Sequence, residues 1–203
     1  GPRIPAETLR RLWTMLAHQQ GGLLNAASLA RALAVDGKTV ASYLDLLVDL
    51  LLVRRLAPWH GNVRKRLVKS PKVYVRDSGL VHALLGIGDR EALLAHPVAG
   101  ASWEGLAIES LIAAAPNGTE AYFFRTAAGA EIDLLLKIPG RRKVWAIEIK
   151  RGLAPKIDRA GPISTGGSIG WSACRRRRAI SAASVTNPAA RKAEAIPPRS
   201  INP

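Results

Sequence analysis

Cysteine is almost absent from this chain of 203 residues, which contains only Cys174. A single cysteine excludes an internal disulfide and any zinc site built from several cysteines. The chain has no uninterrupted run of about 18 apolar residues, and its most apolar segment, residues 43–53, is interrupted by Asp45 and Asp49. It also has no recognisable secretory signal. We therefore predict a soluble cytoplasmic protein without a membrane partner.

Acidic residues are scarce relative to basic ones. The chain has 30 Lys and Arg against 15 Asp and Glu, a formal net charge of +15, and residues 161–203 alone contain seven basic residues and one acidic residue. Such an excess favours polyanionic partners, above all nucleic acid. A GC-rich genome that encodes arginine freely would produce the same composition, so composition alone leaves both explanations open.

The first part of the chain has the pattern of a winged helix-turn-helix. Residues 7–20 carry apolar side chains at helical spacing, and Asn25 is a candidate N-cap for the next helix. A short turn at residues 35–38 leads to a further helix, and the segments LLVRRLAP and KVYVRD could pair as the strands of a wing. We predict a winged-helix domain over residues 7–76.

This domain could bind nucleic acid or pack against protein. The solvent face of its last helix offers only Lys38, Thr39 and Ser42, which is little for reading bases. Basic residues cluster instead around the predicted wing, where they could contact phosphates without reading sequence. These residues are Arg54, Arg55, Arg64, Lys65, Arg66, Lys69 and Lys72. The alternative is a packing module whose charges are merely solvated.

Residues 77–156 predict an α+β arrangement of helices followed by an antiparallel meander. We expect Ser78 to cap one helix and Ser102 to cap another, in which Glu104 lies in the first turn. Glu104 could compensate the helix dipole or reach the edge of a metal site. Arg125, on the first strand, could hold a phosphate or pair with Glu131. Trp103 and Trp145 are expected to be core residues.

Two strands of this meander carry charged residues at alternate positions, in AEIDLLL and AIEIK. Alternation would place Asp133 on one face with Glu131, and Glu148 with Lys150. We expect the side chains of Asp133, Glu148 and Lys150 to meet on one surface of the sheet, because two carboxylates and a lysine on neighbouring strands suit a hard divalent cation beside a phosphodiester. The alternative is cross-strand ion pairing on a solvated face.

The chain changes character after Lys150. Residues 157–203 are rich in Ser, Ala, Pro, Gly and Arg and show no helical or strand periodicity. We predict a disordered basic tail, because such a composition buries too little apolar surface to offset the entropy of ordering. The tail could bind nucleic acid, or it could be the non-native product of a frameshift, which we favour.

Together, LVKSPKVYVRDSGLVHALLG, FFRTAAGAEIDLLL and AIEIK closely resemble the C-terminal domain of unknown function attached to prokaryotic AAA-type ATPases. The resemblance spans roughly residues 7–156. It implies a P-loop ATPase module, then a winged helix, then a truncated α/β domain similar to the PD-(D/E)xK nucleases. No G-x-x-x-x-G-K-[ST] motif occurs in this chain, so no ATP site and no ATPase activity are expected.

The resemblance also assigns roles to individual residues. It implies a catalytic set of Asp133, Glu148, Lys150 and Glu104, in which Asp133, Glu148 and Glu104 would bind Mg²⁺. For sequence-nonspecific nucleic-acid binding we select Arg64, Lys65, Arg66, Lys69 and Arg125. The helix and strand that usually follow the E-x-K strand are absent from the sequence.

The function expected on these grounds is that of a C-terminal fragment of an AAA-type ATPase, acting as a nucleic-acid-associated module. The alternatives are a Mg²⁺-dependent nuclease and a protein-interaction domain that docks on the ATPase module.

Overall fold

The computed structural model describes residues 5–60 and 67–150, together with the backbone of residues 178–180. These ranges form an α+β structure with six helices around one mixed sheet. The helices are α1 (Ala6–His18), α2 (Ala26–Leu33), α3 (Gly37–Asp49), α4 (Ser78–Leu84), α5 (Arg90–Ala95) and α6 (Ala99–Ala114). The strands are β1 (Val53–Pro58), β2 (Lys72–Val75), β3 (Glu120–Arg125), β4 (Glu131–Lys137), β5 (Trp145–Ile149) and β6 (Arg178–Ile180).

The helices α2 and α3 begin where short polar side chains can cap them. Asn25 accepts a hydrogen bond from the Ser28 amide, and Asp36 accepts one from the Thr39 amide. Between these helices Ala34 adopts a left-handed conformation, with φ of 54°. The helices enclose a core of Leu12, Leu16, Leu29, Leu33, Leu44 and Leu47. The predicted helix pair and the β1–β2 hairpin are therefore present, and a winged helix remains their interpretation.

The sheet is continuous from the β1–β2 hairpin to the meander. Its strand order is β2-β1-β3-β4-β5-β6, with β1 antiparallel to β2 and parallel to β3. The strands β3, β4 and β5 form the predicted antiparallel meander. The β1–β3 pairing, at Ala57↔Tyr122 and Pro58↔Phe123, joins segments about 65 residues apart in sequence and was not predicted.

Each face of the sheet has its own apolar cluster. On the face that packs against α6, Phe123, Leu134, Ile147 and Ile149 contact Ile108 and its neighbours. On the opposite face, Phe124, Ile132 and Leu135 form a smaller cluster with Trp59 and Leu67. These assignments show on which face each charged residue lies.

Three local expectations were wrong. The helix expected to start at Ser102 begins at Ala99, and Ser102 lies buried in its first turn, with its Oγ 2.9 Å from His82 Nε2. Asp77, rather than Ser78, caps α4 by accepting a hydrogen bond from the Leu80 amide. Trp145 is 53% exposed, because it stands at the start of β5, beyond the edge of the core.

Two expectations fall largely outside the described residues. Arg64, Lys65 and Arg66 are not among them, and neither is the tail predicted to be disordered, except that residues 178–180 pair with β5. None of the helices within the described ranges has the length and apolar character needed to cross a bilayer.

Candidate functional site

A cluster of charged side chains lies between α6 and the sheet. Lys72 and Tyr74 occupy alternate positions of β2 and both reach Glu104 on α6. Lys72 Nζ is 3.0 Å from Glu104 Oε1, and the Tyr74 hydroxyl donates to the same oxygen at 2.5 Å. Gly105 permits this close approach, since a Cβ there would lie 2.7 Å from Gln20 Nε2 and 3.3 Å from the Tyr74 ring.

Lys72 is the centre of this cluster. It is only 4% exposed, its Nζ also lies 2.5 Å from Glu131 Oε1, and the Phe123 ring centroid is 5.7 Å away. Burial by itself would lower the pKa of Lys72. The negative charges of Glu104 and Glu131 and their hydrogen bonds outweigh burial, so the pKa is raised and the ammonium stays protonated.

A bulge in β4 brings Asp133 to the same side of the sheet. Tyr122 pairs with Leu135 but Phe124 pairs with Ile132, so Asp133 and Leu134 together oppose the single residue Phe123. The extra residue breaks the alternation, which is why Ile132 packs on one face of the sheet and Leu134 on the other. We name the five residues Lys72, Tyr74, Glu104, Glu131 and Asp133 the lysine–carboxylate cluster.

Asp133 lies in an environment that disfavours its charge. Burial, and after it the charge of Glu104, raises the pKa of Asp133 to about 6, against the lowering effects of Lys72 and of the Ile149 amide. That amide donates to Asp133 Oδ2 at 2.7 Å. Burial and the charge of Glu104 also raise the pKa of Tyr74, so its hydroxyl remains a hydrogen-bond donor.

Glu148 and Lys150 do not join this cluster. Ile147 and Ile149 both pack on the α6 side of the sheet, so alternation along β5 directs Glu148 and Lys150 to the opposite face. There, Lys150 Nζ lies 3.2 Å from Glu148 Oε1. The prediction that Asp133, Glu148 and Lys150 share one face of the sheet is therefore wrong. The physical reason is the bulge in β4, which turns Asp133 to the α6 side. The structure does bring Glu104 close to Asp133, and their role as metal ligands stays a prediction.

The carboxylates of the cluster already have protein donors. Glu104 accepts from Lys72 and Tyr74, and the oxygens of Glu131 lie 2.5 Å from Lys72 and 3.4 Å from Arg125. Within residues 5–60 and 67–150, no three His, Cys, Asp or Glu side chains are grouped in a way that could hold a metal ion. The arrangement does not fit the Mg²⁺ that the resemblance implies, because an ammonium group stands where a cation would be required.

A second ionic cluster ties α6 to the first two strands. Glu109 on α6 accepts from Arg54 of β1 through both its oxygens, with Arg54 Nη2 at 2.9 Å, and from Arg76 Nε at 2.8 Å. Sequence reasoning missed Glu109, Lys72 and Tyr74 as members of charge clusters. The alternation in KVYV was the only signal for Lys72 and Tyr74, and Lys72 was instead counted among the cations of the wing.

The predicted nucleic-acid contacts are only partly described. Lys69 is exposed, whereas Arg125 lies beside Glu131, the pairing that was its alternative role. Residues 5–60 and 67–150 contain sixteen basic and thirteen acidic residues. Most of the positive excess of the chain therefore lies elsewhere in the sequence.

Comparisons with known proteins match two parts of the chain to domains of unknown function. One such domain, DUF8612, matches residues 1–91, and a second, DUF4143, matches residues 99–160. The second match is consistent with the ATPase-associated domain that the resemblance implies, although neither match covers half of the chain.

Two uncharacterized mycobacterial proteins are similar in sequence. Uncharacterized protein Rv2008c of Mycobacterium tuberculosis and uncharacterized protein Mb2031c of Mycobacterium bovis are each 52% identical over 161 residues, which is 79% of this chain. The chain spans only 36% of the length of either relative. No solved structure matches the chain.

Proposed function

We propose that this chain is a nucleic-acid-associated module of an AAA-type ATPase that binds nucleic acid without cutting it. The observation that carries the proposal is the buried Lys72, whose ammonium engages two of the carboxylates on the α6 side of the sheet. Phosphodiester hydrolysis of the implied kind needs a divalent cation at such carboxylates. The resemblance to the ATPase-associated family supports an AAA-type ATPase as the partner, and the match to DUF4143 is consistent with that partner.

An exposed cationic turn supports contact with nucleic acid. Arg141 and Arg142, in the turn between β4 and β5, are exposed and precede Trp145, which is also exposed. Guanidinium groups contact phosphates, and an exposed indole can stack on a base. By contrast, the exposed side of α3 carries Asp45 and Asp49, which disfavours its insertion into a DNA groove. The proposed binding is therefore independent of sequence.

A binding assay tests this proposal. The chain is titrated into fluorescently labelled single-stranded and duplex DNA, and anisotropy is recorded at about 50 and 200 mM salt. If four phosphates are contacted, the affinity should fall roughly a hundredfold between these conditions. The double variant Arg141→Glu with Arg142→Glu should weaken binding. The matched double variant Arg10→Glu with Arg90→Glu, two exposed arginines on α1 and α5, should weaken it much less.

Cleavage is assayed in the same samples with Mg²⁺ or Mn²⁺ added. We expect intact DNA on denaturing gels. Cleavage that disappears in Asp133→Ala and Lys150→Ala would instead establish the nuclease alternative, and absence of binding at the lower salt concentration would contradict the proposal as a whole.

Docking on the ATPase module is a second candidate function. Leu50 and Leu51, at the end of α3, are 56% and 67% exposed, and Leu51 adopts a left-handed φ of 59° that is unusual for a leucine. Exposed adjacent leucines of this kind often belong to protein contacts. The test is co-purification with a separately expressed ATPase module, which Leu50→Ser with Leu51→Ser should abolish if this candidate is correct.

A further inference from the structure

The position of Lys72 has a consequence for metal binding. Its backbone is held on both sides, since Lys72 is in register with Leu56 of β1 and forms a bridge with Leu23. Its side chain is buried over the Phe123 ring, and its ammonium lies within 3.0 Å of one oxygen of Glu104 and one of Glu131. A cation is therefore built into the cluster at a defined position.

We propose that Lys72 is a resident counter-cation that excludes divalent metal ions from the lysine–carboxylate cluster. Metal ions bind carboxylate oxygens at about 2.0–2.6 Å, so an ion between Glu104 and Glu131 would occupy the place of the ammonium. A metal ion that displaced the Lys72 ammonium would leave that ammonium buried without its carboxylate partners, which is unfavourable. The wild-type cluster is thus closed to Mg²⁺ and Mn²⁺.

The exclusion depends on charge as well as on space. The cluster contains three carboxylates, and burial, followed by the charge of Glu104, already disfavours ionisation of Asp133. Without the ammonium, these carboxylates would repel one another and attract an oxygen-seeking divalent ion. With the ammonium in place, no three acidic side chains of the described ranges are grouped to hold a metal ion. Replacing Lys72 by a neutral residue of similar length should let Glu104 and Glu131 turn toward a common ion and so create a metal site.

This inference deepens the proposed function, because it gives the physical reason why bound nucleic acid would not be cut. It also stands apart from that function experimentally. Metal binding is measured on the chain without nucleic acid, so a failure of the metal-exclusion inference leaves the proposed nucleic-acid binding untouched, and the reverse also holds.

The experiment measures Mn²⁺ binding by electron paramagnetic resonance and calorimetry on the whole chain. Wild type should show no saturable site up to about 1 mM, the weak end of the range for protein oxygen sites. Lys72→Met should bind one Mn²⁺ at least about tenfold more tightly than wild type, and Glu104→Gln added to it should abolish that site. The matched control is Lys137→Met, which also removes a lysine from an ion pair, with Glu120, but leaves a single exposed carboxylate. It should gain no site.

Stability provides a second measurement. Lys72→Met should be less stable than wild type, and Mn²⁺ should restore part of the loss, or restore folding if the variant is unfolded. Three results would overturn the inference: one Mn²⁺ bound by wild type and lost in Asp133→Asn, a folded Lys72→Met that binds none, or an unfolded Lys72→Met that Mn²⁺ does not refold.

Discussion

Asp133 shows how a residue that resembles a catalytic acid can owe its properties to its surroundings. The resemblance implies a metal ligand at this position, but here Asp133 Oδ2 accepts a hydrogen bond from the Ile149 amide, next to the last β4–β5 pair at Leu134↔Ile147. The carboxylate takes the place of the β4 backbone carbonyl that would accept this amide in a regular strand pair. The same burial that supports this hydrogen bond also raises its pKa to about 6.

The pKa of Asp133 predicts how stability depends on pH. Because its pKa is higher in the folded state than the usual 3.8, the folded state binds the proton more tightly. Stability therefore declines as pH rises from about 4 to 6, by up to roughly 3 kcal/mol in total, and the penalty is complete above pH 6. Asp133→Asn removes this charge and keeps an oxygen that can accept the Ile149 amide.

We expect Asp133→Asn to increase the free energy of unfolding by about 1–2 kcal/mol at pH 8, since a neutral acceptor forms a weaker hydrogen bond than the carboxylate. The gain should shrink as pH falls below 6. Urea denaturation at several pH values measures it, with the exposed Asp49→Asn as a control that should show no such gain. A variant less stable than wild type at pH 8 would show that the charge of Asp133 stabilises the fold.

At the scale of elements, α6 is held to the sheet by acids at two levels. Glu104 contacts Lys72 and Tyr74 on β2, while Glu109 contacts Arg54 on β1 and Arg76 just after β2. The Glu109 side chain is only 14% exposed. Without its charge, Arg54 and Arg76 would be left unbalanced in a partly buried environment. This helix therefore links the hairpin of the first half to the meander of the second.

Glu109→Gln should destabilise the protein by about 2–3 kcal/mol, since it removes the charge shared by two partly buried arginines. Thermal and urea unfolding measure the change. The matched control is Glu120→Gln, whose partner Lys137 is half exposed and whose loss should cost less than about 0.5 kcal/mol. Equal losses in the two variants would contradict a special role of Glu109.

At the scale of the whole molecule, the sheet connects regions that the sequence assigned to separate domains. The parallel pairing of β1 with β3 places a strand of the predicted winged helix beside the predicted nuclease-like meander. The apolar cluster on the α6 side likewise contains Leu56 of β1 and Tyr74 of β2 together with Leu134 of β4. Shared backbone hydrogen bonds and shared core residues favour cooperative unfolding.

We therefore expect a single unfolding transition. Far-ultraviolet circular dichroism and tryptophan fluorescence should give the same urea midpoint, because Trp13 and Trp103 report on the two halves. In Trp13→Phe and in Trp103→Phe, measured separately, the circular-dichroism midpoint and the fluorescence midpoint of each variant should again coincide, whether or not they differ from the wild-type value. Two separated transitions would show that the halves fold independently.

Features that depend on local pattern could be predicted from the amino-acid sequence. Helical spacing located α1, α2 and α3, the short polar residue Asn25 marked a helix start, and the alternating segments around residues 131 and 147 indicated the meander. These features follow from backbone geometry and hydrogen bonds between near neighbours, which each segment carries with it. The α+β class followed from their order.

Which charged residues meet depends on long-range packing and could not be predicted from local pattern. The bulge opposite Phe123 arises from the register between two strands, and it turns Asp133 to the α6 side while Glu148 stays on the other. The burial of Lys72 depends on α6 approaching β2 at Gly105. Register and helix approach are set by packing between segments distant in sequence, and strand alternation alone contains no information about them.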